Sequence, residues 1–301
     1  MQKVLISGGS GLIGSSLTTL LQKNGHEVAW LSRSNKAPKG VTVFKWDVNA
    51  GTLDSNAIAW ADVLVHLAGE GIAEKRWSNA RKNEIIDSRT KSAAMLLAAM
   101  QLHPGKIHTV IAASAIGFYG ETNSVAVKED AVPGIGFLSE SVKLWEAATA
   151  KFAETGARLV TVRIGVVLSL KGGALKEIVQ TAGIRVLPIM GNGKQLYSWI
   201  HIDDVVKILT FSIENPLSGT YNAVAPNPVN QKTIVAQYKN AMRKWYLLMP
   251  VPAFGLRLAL GEMADAVLFN QYISASKIQA AGFEFQFPTI EAALTDLVSA
   301  K

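Results

Sequence analysis

The stretch Val4-Leu5-Ile6-Ser7-Gly8-Gly9-Ser10-Gly11-Leu12-Ile13-Gly14 reads as an apolar strand, a glycine turn and the start of a helix continuing through Leu17, Leu20 and Leu21. Gly8, Gly11 and Gly14 follow a G-x-x-G-x-x-G spacing at that strand-to-helix junction. In such a turn Gly8 supplies the tight bend, Gly11 keeps a side chain out of the way of a phosphate, and Gly14 lets helix and strand pack closely. The free N–H groups of the helix start then face the negative charge. The candidate pyrophosphate cradle is therefore Gly8, Gly9, Ser10, Gly11, Leu12, Ile13 and Gly14. A glycine-rich turn alone is a weak signal; an apolar strand directly before it makes it specific.

The end of the next strand bears on which dinucleotide is held. Val28-Ala29-Trp30-Leu31 runs into Ser32-Arg33-Ser34, where an Asp or Glu would accept from the ribose hydroxyls of NAD. Here a hydroxyl and a guanidinium occupy the position. Arg33 can fork onto a 2′-phosphate carrying roughly −1.5 to −2 charges, which a carboxylate would repel. The competing view of Arg33 is an ordinary solvated arginine. The expected cofactor is NADP, held in part by Ser32 and Arg33.

Working outward, Lys3–Ile6, Glu27–Leu31, Val41–Lys45, Asp62–Leu67, His108–Ala113 and Arg158–Ile164 read as strands. Helical patterns at Leu12–Lys23, Asn79–Met100 and Leu138–Glu154 separate some of them. Alternation of this kind predicts an α/β fold: a Rossmann-type, doubly wound parallel sheet with helices on both faces. After Gly165 the rhythm loosens, and Gly172-Gly173, Gly191-Asn192-Gly193 and Pro226-Asn227-Pro228 punctuate shorter elements. The expected division is a cofactor domain over residues 1–165, with its sheet completed from around 196–224. A smaller, interleaved substrate-side region covers 166–301 and includes a C-terminal helical unit at 247–297. Ser198–Ile202 predicts a strand leading into a helix capped by Asp203, with His201 a satisfied histidine rather than half of a catalytic dyad. An apolar helix is expected over Phe254–Phe269.

The bulk properties exclude several function classes. With 301 residues, 49% hydrophobic and 18% charged, the chain has the composition of an ordinary globule with a large core. There are no cysteines, and the five histidines show no ligand spacing, so no metal site is expected. No apolar run is long enough for a membrane span, and the first residues lack a signal-peptide pattern, so the expected location is the cytoplasm. The net charge of +7 is dispersed rather than clustered with aromatics, which argues against a nucleic-acid partner and suits a multiply charged small anion.

Several strings together resemble the extended and atypical branch of the short-chain dehydrogenase/reductase superfamily. They are most similar to its "epimerase family protein" group, related to nucleoside-diphosphate-sugar epimerases. The strings are Ser7–Gly14, Leu31-Ser32-Arg33, His66-Leu67-Ala68-Gly69-Glu70, Glu84-Ile85-Ile86-Asp87-Ser88-Arg89, Ser114–Gly120, Leu144-Trp145-Glu146-Ala147-Ala148, Val162–Leu168 and Ser198–Asp204. Val251–Leu294 resembles that group's C-terminal domain of unknown function. The resemblance implies that Leu67, Ala68 and Gly69 line the cofactor by backbone contact, that Glu84 and Arg89 face it, and that Val166 touches its nicotinamide end. The bland alternatives are core packing for Leu67 and Val166 and an ordinary helical pair for Glu84 with Ser88.

The same resemblance implies proton transfer by a Tyr with a Lys four residues on, assisted by a Ser or Thr at a strand end. Lys143 fits the lysine, but Ser139 stands in the tyrosine's place and Ser114 is one residue out of step. Tyr119 is the nearest phenol in sequence to the strand end. The catalytic candidates are thus Tyr119, Lys143 and Ser114, with Glu70 and Glu74 as carboxylates near the expected nicotinamide end. The implied activity is NADP-dependent oxidation, reduction or epimerisation of a small polar, nucleotide-sugar-like substrate; the sequence is silent on oligomeric state, with a homodimer one arrangement open to it. The alternative is an NADP-binding sensor or partner protein without turnover.

Overall fold

The computed structural model describes residues 1–299. Its first half alternates strand and helix: β1 (Lys3–Ser7), α1 (Leu12–Lys23), β2 (Glu27–Ser32), β3 (Val41–Asp47), β4 (Thr52–Leu53), α2 (Asn56–Trp60), β5 (Val63–His66), α3 (Asn79–Leu102), β6 (Thr109–Ala115), α4 (Phe137–Ala150) and β7 (Arg158–Ile164). The second half contributes β8 (Val166–Leu168), α5 (Gly173–Ile178), β9 (Val186–Met190), β10 (Leu196–Tyr197), β11 (Trp199–His201), α6 (Ile202–Glu214) and β12 (Gly219–Ala223). It ends in β13 (Val229–Asn230), α7 (Gln231–Met242), β14 (Leu247–Val251), α8 (Ala253–Leu260), α9 (Asp265–Leu268), α10 (Ser276–Ala280) and α11 (Ile290–Ser299).

The main sheet has the order β12-β7-β6-β5-β1-β2-β3-β4 and is parallel except for the short β4. Its strands are apolar on consecutive residues because both faces are covered. Successive residues point to opposite faces, so Val4 and Ile6 enter one core while Leu5 enters the other. Val28 and Trp30 against Ala29 and Leu31, and Val63 and Val65 against Leu64, divide the same way. Strand order reverses between β1 and β5, and the crevice for a ligand lies where their carboxyl ends diverge.

A third core belongs to the second half of the chain, around Trp199, Tyr238, Leu187, Ile234 and Leu294. The second half also reaches back, since β12 pairs with β7 at the edge of the main sheet. Two local expectations are corrected. Phe254–Phe269 is not one helix: α8 stops where Gly261 takes φ 62°, a 3-10 turn follows, and α9 resumes at Asp265. The N-cap of α6 is His201, whose Nδ1 accepts the Asp203 N–H at 3.1 Å, so Asp203 lies inside the helix. Asp204 instead accepts the backbone N–H groups of Gln286 and Phe287.

Candidate functional site

The carboxyl end of β1 leads into the glycine turn at the switch point. Gly8 has φ 79°, and the Gly11 N–H returns to its carbonyl at 3.1 Å. A Cβ on Gly14 would lie 2.3 Å from the Gly8 oxygen, and one on Gly9 would lie 2.4 Å from the Trp30 ring. That ring is itself held by Nε1 donating to Thr18 Oγ1 at 2.8 Å. Gly11 differs: its only near neighbour would be the Gly8 oxygen at 3.3 Å, and both Ser10 and Gly11 are exposed. Helix α1 starts after Gly11 with no side-chain cap and no acid in its first turn. Its N–H groups are thus left to solvent or to an anion. Leu12 and Ile13 are half-buried and pack toward the cores behind the turn.

At the end of β2, Ser32 Oγ accepts the Ser34 N–H at 3.1 Å, and Arg33 is exposed. Lys45, from β3, donates to the Arg33 carbonyl at 3.0 Å and adds a second cation there. Sequence reasoning passed over Lys45, because only the pairing of β2 with β3 brings it beside Arg33.

At the end of β5, Leu67 and Ala68 are half-buried and Gly69 is exposed. The Arg89 guanidinium packs against Gly69, where an added Cβ would lie 2.9 Å from its Cζ, and sits over the Trp145 ring at 4.9 Å. Burial lowers the Arg89 pKa to about 10. Glu84 does not pair with Ser88. Its carboxylate accepts from Arg81 at 2.9 Å, and Glu70 and Glu74 approach the same guanidinium at 3.2 and 3.7 Å. Ser88 Oγ instead accepts the Glu70 N–H at 3.0 Å. Val166, half-buried, opens β8, and its N–H donates to the Ser198 carbonyl at 2.9 Å.

Ser114 and Tyr119 belong to one buried network. Ser114 Oγ donates to Glu146 Oε1 at 2.5 Å, and Glu146 holds Arg163 through two bonds of 2.8 Å. Arg163 then donates to the Tyr119 hydroxyl at 2.8 Å, which donates in turn to Asn222 Oδ1 at 2.7 Å. Burial pushes the Tyr119 pKa up, against the lowering effect of Arg163 and Asn222, so the phenol is protonated at neutral pH. Burial opposes the charge on Arg163, but its bonds to Glu146 and Tyr119 prevail and raise its pKa.

Lys143 stands outside this network. Its side chain is 52% exposed and pairs with Glu140 at 3.0 Å. Ser139 is buried and its one hydroxyl proton is shared between the carbonyls of Phe118 and Gly134, filling the tyrosine's place as a structural tie. Sequence reasoning missed Glu146, Arg163 and Asn222 as a group. Their one local signal is Arg163, a charged residue near the buried end of β7, whose only other charge is Arg158 at its start.

His201, Asp203 and Asp296 bring ligand-type atoms within 4.8 Å of one another. The capping bond places a lone pair on His201 Nδ1, so Nε2 carries the proton and offers no lone pair to a cation. No helix among the described residues is long and apolar enough to cross a membrane.

A doubly wound parallel sheet with an open glycine turn at its switch point defines a Rossmann-type fold, the class in which dinucleotides are held at such a turn. The model of the NAD dependent epimerase/dehydratase family matches residues 4–224, and a domain of unknown function, DUF1731, matches 251–297. An epimerase family protein of Mycobacterium bovis is 38% identical over 293 residues, covering 97% of this chain and 96% of the relative. The crystal structure of the human epimerase family protein SDR39U1 with NADPH is 28% identical, with a TM-score of 0.87 and 99% of both chains covered. A nucleoside-diphosphate sugar epimerase from Corynebacterium glutamicum is 31% identical with a TM-score of 0.79, covering all of this chain and 59% of that one. The chain belongs to the NAD dependent epimerase/dehydratase family.

Proposed function

We propose that the protein is an NADP-dependent oxidoreductase or epimerase acting on a small polar substrate of nucleotide-sugar-like character. The observation that carries this is the pairing of an open, uncapped glycine turn with two cations, Arg33 and Lys45, at the end of β2. The sequence there is Ser32-Arg33-Ser34-Asn35, with no carboxylate to repel a 2′-phosphate. The NADPH in the human relative's structure supports the same choice. The residues fit the dinucleotide: Gly11 and the first N–H groups of α1 would hold the pyrophosphate, Arg33 the 2′-phosphate, and the Leu67–Gly69 backbone the path between. Glu84 and Arg89 would flank that path from α3, and Val166 would border the nicotinamide end. When bound, the cofactor supplies hydride acceptance and donation.

Tyr119 is the best-placed proton donor of the three catalytic candidates. Its phenol is protonated and held by Arg163 and Asn222, and the residue is one of those lining a surface cavity of about 480 Å³. Neither Ser114, bonded to Glu146, nor Lys143, bonded to Glu140, lines that cavity. A C-terminal region built around its own apolar core favours turnover of a substrate over a cofactor sensor without chemistry.

The test uses ligand-stripped protein. NADPH at about 100 times its dissociation constant stabilises the fold by about 2.7 kcal/mol. That corresponds to a melting shift of roughly 5–10 °C for a chain of this size. A panel of carbonyl compounds and nucleotide sugars is then scanned for NADPH consumption or epimer formation, with Tyr119→Phe and Lys143→Ala in parallel. Tyr119→Phe should lower turnover at least tenfold and Lys143→Ala less than threefold, as judged from their contacts. No shift with NADPH, or one matched by NADH, would refute the cofactor assignment.

A further inference from the structure

One polar group at the switch point is buried beneath the cradle and plays no part in the scheme above. His66, the last residue of β5, is 0% exposed and lies between β1 and α3. Its Nδ1 is 2.6 Å from Ser7 Oγ, and its Nε2 is 3.3 Å from Ser92 Oγ.

One placement of the protons gives every donor an acceptor. Ser92 Oγ donates its proton to the Arg89 carbonyl at 3.0 Å, so it can offer His66 only a lone pair. Nε2 therefore carries the imidazole proton and Nδ1 accepts from Ser7 Oγ. The lone pairs of Ser7 then remain free for the Ala68 N–H at 3.4 Å. Each hydroxyl donates once and accepts once, each ring nitrogen has one role, and no role conflicts with another.

We propose that Ser7, His66 and Ser92 form a positioning relay that sets the spacing between the glycine turn and the Leu67–Gly69 backbone. Ser7 directly precedes Gly8, and His66 directly precedes Leu67. The two segments already touch, since a Cβ on Gly8 would lie 3.0 Å from Ala68 N. A shift of a few tenths of an ångström on either side changes both walls of the crevice. The far end of the relay reaches the same place by another route. Ser92 bonds the carbonyl of Arg89, whose guanidinium packs against Gly69. A closed path thus joins the turn, β5, α3 and the loop after β5, and Ser7, His66 and Ser92 need not themselves touch a ligand.

The affinity arm of the test rests on the NADP reading; the proton arm does not. In the intact protein, nitrogen-15 NMR of His66 should show a neutral ring protonated at Nε2; a ring protonated at Nδ1 would overturn the relay. Ser92→Ala and His66→Leu should each raise the NADPH dissociation constant about tenfold, the equivalent of one buried hydrogen bond. His66→Gln keeps an acceptor and a donor and should stay within about threefold of the parent by the same reasoning. A merely structural role would lower the melting temperature in all three variants and leave NADPH affinity unchanged in the folded protein. That outcome overturns the proposal. Parent protein that binds no NADPH would instead fail the cofactor reading, and the NMR result would still decide the relay.

Discussion

Gly11 and Gly14 sit three residues apart in one motif, yet the structure gives them different physical tasks, and alanine at each should separate packing from binding. Gly14 faces inward, with an added Cβ 2.3 Å from the Gly8 oxygen and 2.7 Å from Gly9 Cα. An ordinary carbon–oxygen contact is about 1 Å longer, and α1 cannot retreat freely because Leu17 and Leu21 are fully buried. Overpacking of this kind costs about 1–3 kcal/mol. That lowers the melting temperature by roughly 2–10 °C and deforms the turn as well. Gly11 has φ −72° and ψ 174°, which alanine adopts without strain, and its Cβ would meet one atom at 3.3 Å. The gain in chain stiffness, about 0.4–1 kcal/mol, roughly offsets the poorer N-cap. Gly11→Ala should therefore melt within about 3 °C of the parent, a change near 1 kcal/mol or less. The new methyl nevertheless stands on the exposed surface assigned to the pyrophosphate, and NADPH affinity should fall at least tenfold, about 1.4 kcal/mol. Differential scanning fluorimetry and titration calorimetry on both variants make the comparison. Gly11→Ala protein that binds NADPH as tightly as the parent would remove the phosphate cradle from the N-terminus of α1.

Arg33→Asp should weaken NADPH roughly 10–100-fold, the loss of one charge-assisted contact on an exposed site, while NADH affinity changes less than threefold; equal losses for both would contradict the 2′-phosphate role. Arg163→Met leaves Glu146 partly buried without its cation and should cost about 3–5 kcal/mol, read as a lower denaturation midpoint at unchanged slope. Stability should also fall on acidification. Burial, helped by the Arg89 charge, holds His66 near pKa 4, against 6.5 in the unfolded chain. Between those values the unfolded state binds more protons, so this contribution is complete above about pH 6.5 and lost as pH falls toward 4. The window is worth roughly 3 kcal/mol, and denaturant titrations of His66→Gln should show a correspondingly flatter pH profile.

The N-terminal cradle could be read directly because its requirements are local. Glycine at fixed offsets, an apolar strand before and an amphipathic helix after are all encoded within 20 residues or so of chain. The six expected strands all form, with ends displaced by one or two residues where hydrogen bonding rather than hydropathy sets the limit. The helix expected over Phe254–Phe269 breaks in two because the stretch, though mostly apolar, carries Gly261, and apolarity does not show where that glycine turns to positive φ. His201 took the cap from Asp203 because β11 ends there, with the ring packed on Phe287 from a distant segment.

Composition, strand rhythm and the glycine spacing by themselves determined the class of fold, the glycine turn between β1 and α1 and the lack of any carboxylate at the end of β2. Tertiary structure alone decided that Lys45 joins Arg33, that Lys143 turns to solvent, and that Ser114, Glu146, Arg163, Tyr119 and Asn222 share one chain of hydrogen bonds. Their separations run from 17 residues, between Glu146 and Arg163, to 103, between Tyr119 and Asn222. Hydrogen bonds across such distances depend on which strands lie side by side, and that order is fixed by burying both faces of the sheet rather than by any short stretch of the chain.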